Sequence, residues 1–174
     1  MAGKIIQLVK YLFHWLKSII FVTIKSNMKK IHINNDDNYA TPPDFYTELN
    51  RRFNFDFDPC PYNEGEIEDG LVKEWGNSNF INPPYSQKLK EAFVKKAIEE
   101  FKKGKLCVML LPVSTSTALF HDYILPNASK IEFVRGRIKF GKRDKNGDFY
   151  YVRNKQGNIQ SGTKDSMIVI FGKI

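Results

Sequence analysis

The stretch NFINPPYS, residues 79–86, decides how the rest of the chain is interpreted. Residues 79–81 are predicted to form a short β-strand, and the prolines that follow end it. Ser86 can cap a helix over about residues 87–103, where apolar side chains recur every four positions and a glycine follows. Residues 106–111 (LCVMLL) are typical of a strand buried on both faces. Strand, helix and buried strand in succession predict an α/β fold.

Further elements are predicted on both sides of this unit. Thr41-Pro42-Pro43-Asp44 predicts a helix start, with Thr41 as N-cap and Asp44 near the positive end of the helix. Asn146-Gly147 is the strongest hairpin signal in the chain. We find no internal repeat. The remaining predictions are a short helix over residues 114–123 and strands over 53–57, 131–134, 138–140, 149–152 and 167–171.

Length and cysteine content restrict the class of protein. A chain of 174 residues is the size of about one domain. Cys60 and Cys107 are 47 positions apart, so the sequence holds no CxxC pair and predicts neither a disulfide scaffold nor a thiolate zinc site. A reducing compartment is the simplest interpretation.

The net charge of +8 is unevenly distributed. Residues 1–30 carry six lysines and no acid, residues 31–74 carry three basic and eleven acidic groups, and residues 75–174 carry eighteen basic and eight acidic groups. A basic total by itself indicates a nucleic acid or a membrane surface as partner. The partition predicts different tasks for the acidic and the basic part.

Residues 1–30 are interpreted as an amphipathic N-terminal extension and residues 31–174 as the working domain. Residues 5–24 are apolar with a narrow polar stripe, which favours an interfacial or packing helix over a membrane span, because a span would bury two lysines in lipid. No small-residue cleavage site for a secretory signal follows. Met28 begins MKKIHI, which is typical of a start, so the extension is alternatively upstream of the true first residue.

Asn82-Pro83-Pro84-Tyr85 follows a strand, which is where α/β folds bind ligands. An amino nitrogen on a heteroaromatic ring is a poor nucleophile because its lone pair is delocalised. The Asn82 side-chain oxygen and the next backbone carbonyl can accept its two N–H groups, which localises the lone pair. Proline keeps such carbonyls rigidly directed, and the Tyr85 ring can stack on a flipped base. A turn stiffened by prolines is the alternative interpretation.

The ordered motifs of residues 39–171 resemble the phage-type DNA N6-adenine methyltransferase (Dam) family. NPPY is similar to the amino-methyltransferase motif of S-adenosylmethionine-dependent enzymes. The other matching pieces are Ala40-Thr41-Pro42, residues 55–60 (FDFDPC), Asp69-Gly70-Leu71 with Trp75, residues 110–112 (LLP), Phe120-His121, residues 133–140 (FVRGRIKF) and residues 166–171. The resemblance implies a compact Rossmann-like S-adenosylmethionine-dependent methyltransferase fold, with a mixed central sheet and a basic hairpin insertion. It also implies a phage or prophage origin, restriction–modification as the setting, and the host cytoplasm as location.

The resemblance further implies site roles. Asn82, Pro83, Pro84 and Tyr85 would bind and activate the target amino group. Thr41, Pro42, Asp58, Pro59, Asp69 and Leu71 would bind S-adenosylmethionine. Asp58 would pair with the cofactor's amino group or support its methionine end, and Asp69 would accept from its adenine amino group. No metal is expected, because the sulfonium is already activated. One departure is the loop over residues 58–65, which has a single glycine where related enzymes have a glycine-rich loop.

Residues 130–164 hold ten basic and three acidic groups with interleaved aromatic residues, a composition suited to phosphate contact and base stacking. A basic hairpin here is small enough to enter a DNA groove. Double-stranded DNA is the expected partner; a solvated hairpin is the alternative. The candidate contacts are Arg135, Arg137, Lys139, Lys142, Arg143 and Arg153.

Two other functions compete with transfer to a flipped adenine. The same motif serves cytosine N4, RNA amino groups and protein glutamine, although the basic C-terminal part favours nucleic acid. A DNA-binding protein with a degenerate methyltransferase fold and no activity is the alternative from another class. Whether the chain is a monomer or a dimer is left open.

Overall fold

The computed structural model describes residues 39–62 and 70–173, and these form a mixed α/β structure. The predicted extension over residues 1–30 lies outside the described residues. The elements in chain order are α1 (Pro43–Phe53), β1 (Ser78–Ile81), α2 (Gln87–Lys102), β2 (Leu106–Pro112), a π-helical turn (Leu119–Ile124), α3 (Leu125–Asn127), β3 (Lys130–Phe133), β4 (Gly141–Arg143), β5 (Phe149–Tyr151) and β6 (Ser166–Phe171). No helix among the described residues is long and apolar enough to cross a membrane.

Four strands form the central sheet in the order β1-β2-β6-β3. β1 and β2 run parallel, with Ser78 opposite Leu106, whereas β6 is antiparallel to both of its neighbours. Phe57 extends the sheet beyond β1 through a parallel bridge to Asn79. The mixed sheet expected from the sequence is therefore present.

The sheet is covered on both faces. Along β2, alternate residues enter two separate apolar clusters: Met109 lies in one with α2 and the π-helical turn, and Leu110 lies in the other with α1. β6 alternates in the same way. This three-layer packing explains why the sequences of β2 and β6 are apolar without interruption: neither face of these strands is exposed to solvent.

Three element predictions are wrong: two predicted strands are absent, and one predicted helix begins later in the chain. Residues 53–57 do not form a strand, because α1 continues to Phe53 and Asn54 ends it in a left-handed conformation (φ 48°). Residues 138–140 form no strand; the Ile138 side chain is buried in the α1 cluster, and β4 begins only at Gly141. The helix predicted over 114–123 lies later, in the π-helical turn and α3.

β4 and β5 pair as an antiparallel ribbon apart from the central sheet. The chain then folds back once more, with a bridge between Arg153 and Ile159. Two hydrogen bonds join Ala40 to Gly141, at 2.8 and 3.1 Å, and attach the ribbon to the segment that precedes α1. The ribbon is thereby held next to the end of β1, where Asn82 lies.

Two turns, one between β4 and β5 and one after β5, have similar sequences and similar hydrogen bonds, and they form a short local repeat. Residues 143–148 (RDKNGD) and 153–158 (RNKQGN) match position by position, ten residues apart. In each turn the second residue's Oδ1 accepts two backbone N–H groups, and the glycine has a positive φ. In each, too, the arginine Nη1 donates to the glycine carbonyl: Arg143 to Gly147 at 2.8 Å and Arg153 to Gly157 at 2.7 Å. Conservative exchanges concealed the repeat.

Candidate functional site

Asn82 follows the last residue of β1, and its side-chain amide is held in one orientation. Nδ2 donates to the Tyr39 carbonyl at 3.3 Å and to Thr41 Oγ1 at 3.1 Å. A backbone carbonyl can only accept, so the NH₂ group must face Tyr39. Oδ1 is consequently the acceptor end that points away from both. Thr41 is not the N-cap predicted from the sequence; Pro42 takes that position, and the Thr41 hydroxyl serves Asn82 instead.

Pro83 and Pro84 are buried and lead to Tyr85. The Tyr85 ring meets the Phe140 ring edge-on, with centroids 6.3 Å apart. Its hydroxyl oxygen is buried and has no hydrogen-bond partner among the described residues. Burial, with a smaller contribution from nearby Cys60, raises the pKa of Tyr85, so the hydroxyl is neutral. A buried, unpartnered hydroxyl beside an open cavity is a group available to a ligand.

Asp58 lies at the same edge of the sheet as Asn82, because Phe57 and β1 pair in parallel. Its Oδ1 accepts the backbone N–H of Cys60 at 2.9 Å. Burial raises the pKa of Asp58 to about 6, and the Cys60 hydrogen bond offsets only part of that effect. No cation among the described residues forms an ion pair with this carboxyl group. A cationic ligand is the partner that such a carboxylate lacks.

The loop that carries Asp58 is held by close backbone packing. Pro59 is buried, and a Cβ placed on Gly70 would lie 1.8 Å from the Pro59 carbonyl oxygen. Trp75 Nε1 donates to the Gly70 carbonyl at 2.6 Å. Leu71 is half-buried and packs against the α2 cluster. Asp69, predicted to bind the cofactor, lies outside the described residues.

Two cavities adjoin the Asn82–Tyr85 segment, and Tyr39 lines both. The first, here called the Asp58 cavity, measures about 280 Å³. The second, here called the Tyr85 cavity, measures about 420 Å³ and is lined by Tyr85, Phe140, Pro112 and residues 160–164 among others. Besides Asp58, the first cavity has Thr41, Tyr46, Cys60, Asn82 and Arg143 in its wall.

The basic residues predicted to bind DNA lie in the segment before the ribbon, on the ribbon and, for Arg153, just after it. Lys142 is half-buried, and the other five are exposed: Arg135, Arg137, Lys139, Arg143 and Arg153. Arg137 Nε lies 3.5 Å from Asp165 Oδ1. Arg143 differs from the rest, because it also lines the Asp58 cavity.

Several lining residues were not predicted from the sequence. Tyr39 and Tyr46 line the Asp58 cavity, and Phe140 with residues 160–164 lines the Tyr85 cavity. No spacing pattern identifies the last group, because tertiary folding returns residues 160–164 to the end of β2 from about fifty positions away. The ten-residue repeat is the signal that would have identified Arg143 and Arg153 as equivalent.

Metal ligation and thiol chemistry find little support in the described residues. Over residues 39–62 and 70–173, no group of three or more His, Cys, Asp or Glu side chains could hold a metal ion. Cys60 and Cys107 are free thiols. Burial raises the pKa of Cys60 well above its usual value, and so does the adjacent Asp58, so its sulfur is the unreactive thiol form. His121 is exposed.

Comparison with known proteins gives a family for this arrangement. The sequence model described as DNA N-6-adenine-methyltransferase (Dam) matches residues 25–174. The chain belongs to the Dam family. The Dam match includes every described residue and every candidate site residue, Asp69 among them.

A relative in Escherichia phage T1, a DNA N-6-adenine-methyltransferase, is 28% identical over 154 residues. That alignment includes 79% of this chain, and the chain spans 63% of the length of the phage protein. No solved structure matches.

Proposed function

We propose that this Dam-family chain is a site-specific DNA adenine-N6 methyltransferase that uses S-adenosylmethionine. The observation that carries the proposal is the fixed Asn82 amide, whose oxygen is left as an acceptor in the wall of the Asp58 cavity, while Tyr85, three residues further on, lines the Tyr85 cavity. One cavity holds the Asp58 carboxyl group, which forms no ion pair with a described residue, and the other holds aromatic rings and the Tyr85 hydroxyl, which has no hydrogen-bond partner among the described residues. The first suits a cationic cofactor and the second a planar base.

Asn82 would act on the amino group of the target adenine. Oδ1 and the Pro83 carbonyl would accept the two N–H groups, which localises the lone pair on nitrogen. Because Tyr39 and Thr41 hold the amide NH₂, Oδ1 is oriented before the base arrives. The rings of Pro83 and Pro84 would keep the backbone carbonyls directed.

The Tyr85 cavity would receive the base after it is flipped out of the duplex. The Tyr85 ring would stack on the base, and Phe140 would support that ring through their edge-on contact. The Tyr85 hydroxyl, which has no partner among the described residues, would hydrogen-bond to the base or to the strand that carries it.

The Asp58 cavity fits the methionine end of the cofactor. The half-buried Asp58 carboxyl is the group with which an ammonium would pair, and Thr41 lines the same cavity. Pro42 and Pro59, which the family resemblance assigned to the cofactor, are buried and do not line this cavity, whereas Pro43 and Pro61 do. When bound, S-adenosylmethionine supplies an electrophilic methyl group on a sulfonium. Asp69 and Leu71 would contact the adenine of the cofactor, as the family resemblance implies.

We also propose that the fold is Rossmann-like. β1, α2 and β2 form a parallel strand–helix–strand unit, and the candidate site lies beyond the carboxyl ends of its strands. The β4–β5 ribbon would be the basic insertion that contacts DNA. Exposed arginines and lysines on it would bind backbone phosphates, which position the duplex without reading its sequence.

The test is methyl transfer from cofactor labelled on the methyl group to duplex DNA, followed by nucleoside analysis. We expect label in N6-methyladenine, and Asn82→Ala should lower the rate by about 100-fold or more, the typical effect of removing one acceptor or donor in such a site. Asn77→Ala is the matched control, because the Asn77 side chain is exposed just before β1. Transfer by Asn82→Ala at the unchanged rate would falsify the role of Asn82.

The same experiment separates the competing functions. If the label appears in N4-methylcytosine, in RNA or in protein glutamine, the acceptor is not adenine. The assignment of the catalytic site would still hold. Calorimetry addresses the non-catalytic alternative, because a transferase must bind S-adenosylmethionine. A chain that binds DNA and neither binds the cofactor nor transfers label is a binding module.

A further inference from the structure

Arg143 is the last residue of β4 and part of the wall of the Asp58 cavity. The cause is local. Ala40 and Gly141 exchange two backbone hydrogen bonds, so β4 runs beside the segment that leads into Thr41. Arg143 lies two residues beyond Gly141 and is thereby brought to the cavity, although its sequence context groups it with the DNA-binding residues.

The Asp58 cavity contains one group of each charge. Among the described residues that line it, Asp58 is the only carboxylate and Arg143 the only cation. No ion pair joins the two within the described structure. Arg143 donates to the Gly147 carbonyl through Nη1, which leaves most of its five N–H groups for another acceptor. The wall therefore offers separate partners for an anion and a cation on one small ligand.

We propose that Arg143 binds the carboxylate of the methionine part of S-adenosylmethionine, while Asp58 binds its ammonium group. This inference rests on the proposed function, because it assigns a residue to that cofactor. An α-amino acid is a zwitterion, and a guanidinium next to a carboxylate-lined cavity matches both of its charges. Arginine also suits a carboxylate geometrically, because its fork can donate two parallel N–H bonds.

The repeated turn supplies a matched control. Arg153 occupies the equivalent position of the second turn and makes the equivalent hydrogen bond, to the Gly157 carbonyl at 2.7 Å. It is also exposed, and it is absent from the walls of the Asp58 and Tyr85 cavities. Removing either arginine costs one positive charge and one turn contact. Only the removal of Arg143 also takes a guanidinium from the Asp58 cavity.

The experiment is calorimetric binding of two ligands, S-adenosylmethionine and decarboxylated S-adenosylmethionine, to the full chain. The second ligand keeps the amine and the sulfonium but lacks the carboxylate. We expect Arg143→Ala to weaken binding of S-adenosylmethionine by about 10- to 100-fold, the value of a charge-assisted hydrogen bond. Binding of the decarboxylated ligand should change less than three-fold. Arg153→Ala should leave both affinities unchanged.

Two further variants complete the design. Arg143→Lys should retain part of the affinity for S-adenosylmethionine, because it keeps the charge without the fork. Asp58→Asn should weaken both ligands, because both carry the ammonium. Circular dichroism of each variant checks that it is folded, which we expect for Arg143 and Arg153 because both side chains are exposed, and for Asp58→Asn because asparagine has nearly the same shape as aspartate.

Three outcomes overturn the proposal. Arg143→Ala could bind S-adenosylmethionine as the unchanged chain does, it could weaken both ligands equally, or Arg153→Ala could have the same effect. Equal weakening of both ligands would mean that Arg143 holds the ribbon in place. An equal effect of Arg153→Ala would mean that Arg143 acts only through the net positive charge of the chain. Failure of the unchanged chain to bind S-adenosylmethionine overturns the proposed function as well, so the two failures are distinguishable.

Discussion

Asn82, Thr41 and Tyr39 form one hydrogen-bonded group that sets the direction of a single oxygen atom. Asn82 is 41 positions from Thr41, so this group exists only in the folded chain. The sequence motif identifies Asn82 as a candidate acceptor, but a motif does not orient an amide. Thr41 is accordingly interpreted as a positioning residue for Asn82, in addition to its expected place near the cofactor.

Thr41→Val should lower kcat by about ten-fold, because the loss of one hydrogen bond of roughly 1–1.5 kcal/mol leaves the amide less fixed. Thr41→Ser should restore the rate, since serine keeps the hydroxyl. Steady-state kinetics with both substrates measures the effect. A loss confined to the KM of the cofactor would instead assign Thr41 to cofactor contact alone.

Asp58 should make cofactor binding dependent on pH. Its pKa is raised to about 6 by burial, so the carboxylate that attracts a cation is present above pH 6 and lost below it. We expect the affinity for S-adenosylmethionine to fall about ten-fold between pH 7.5 and pH 5. The neighbouring Cys60 and Tyr46 have raised pKa values and stay neutral over this range. Calorimetry across pH checks this, and a pH profile that Asp58→Asn leaves unchanged would contradict it.

The stability of the unliganded chain should depend on pH in the opposite direction to cofactor affinity: it should fall, rather than rise, as the pH increases. Because the pKa of Asp58 is raised in the folded state, its ionised form destabilises the fold above pH 6. The cost is about 3 kcal/mol and disappears below about pH 4, where the carboxyl is protonated in both states. Cofactor binding and the free energy of unfolding thus both depend on whether the Asp58 carboxyl is protonated.

At the scale of elements, the strands of the central sheet and α2 were predicted closely from the sequence. A long apolar run between a glycine and a proline leaves few alternatives, and a four-residue spacing of apolar side chains fixes a helix face. The errors lie where the chain is short and aromatic. The alternation over residues 53–57 arises because Phe53, on the helix, and Phe55, beyond it, pack into the same cluster. The alternation of apolar and polar residues over 53–57 therefore does not indicate a strand.

Gly141 joins the ribbon to the site. A Cβ at this position would lie 2.4 Å from both Phe149 Cζ and the Tyr150 carbonyl oxygen, so the backbone must move. We expect Gly141→Ala to lower the free energy of unfolding by about 1–3 kcal/mol. Urea denaturation measures the loss. In Gly162→Ala, the control, the nearest atom is the Ile138 carbonyl oxygen at 3.3 Å, and the loss should be smaller. Equal midpoints for the two variants would contradict the packing argument.

For the whole molecule, the excess of positive charge in residues 75–174 serves two purposes. Lys96, Lys103 and Lys105 surround the buried carboxylate of Glu100, with N–O distances of 2.7–2.8 Å. Burial by itself raises the pKa of Glu100, but the three lysines outweigh it and lower the pKa to about 2. These lysines are structural. The exposed basic residues near and on the ribbon are the ones that we propose to contact DNA.

Binding to duplex DNA should depend steeply on salt. If six phosphates are contacted, the affinity should fall about 1,000-fold between 50 and 200 mM salt. Arg135→Ala should reduce the slope of log K against log salt by about one, because it removes one contact. Lys95→Gln, on α2, is the control and should leave the slope unchanged. Fluorescence anisotropy with a labelled duplex measures both, and a slope near zero would exclude a phosphate-binding surface.

The amino-acid sequence was enough to predict the α/β class, the family and the candidate acceptor Asn82. It could do so because buried strands and proline-fixed turns depend on local pattern and backbone restriction. Which groups face one another is visible only in the folded chain: Thr41 with Asn82, Arg143 with the Asp58 cavity, and residues 160–164 with Tyr85. These contacts result from strand pairing in the sheet and from the two backbone hydrogen bonds between Ala40 and Gly141. Contacts between residues distant in the chain leave no periodic trace in it.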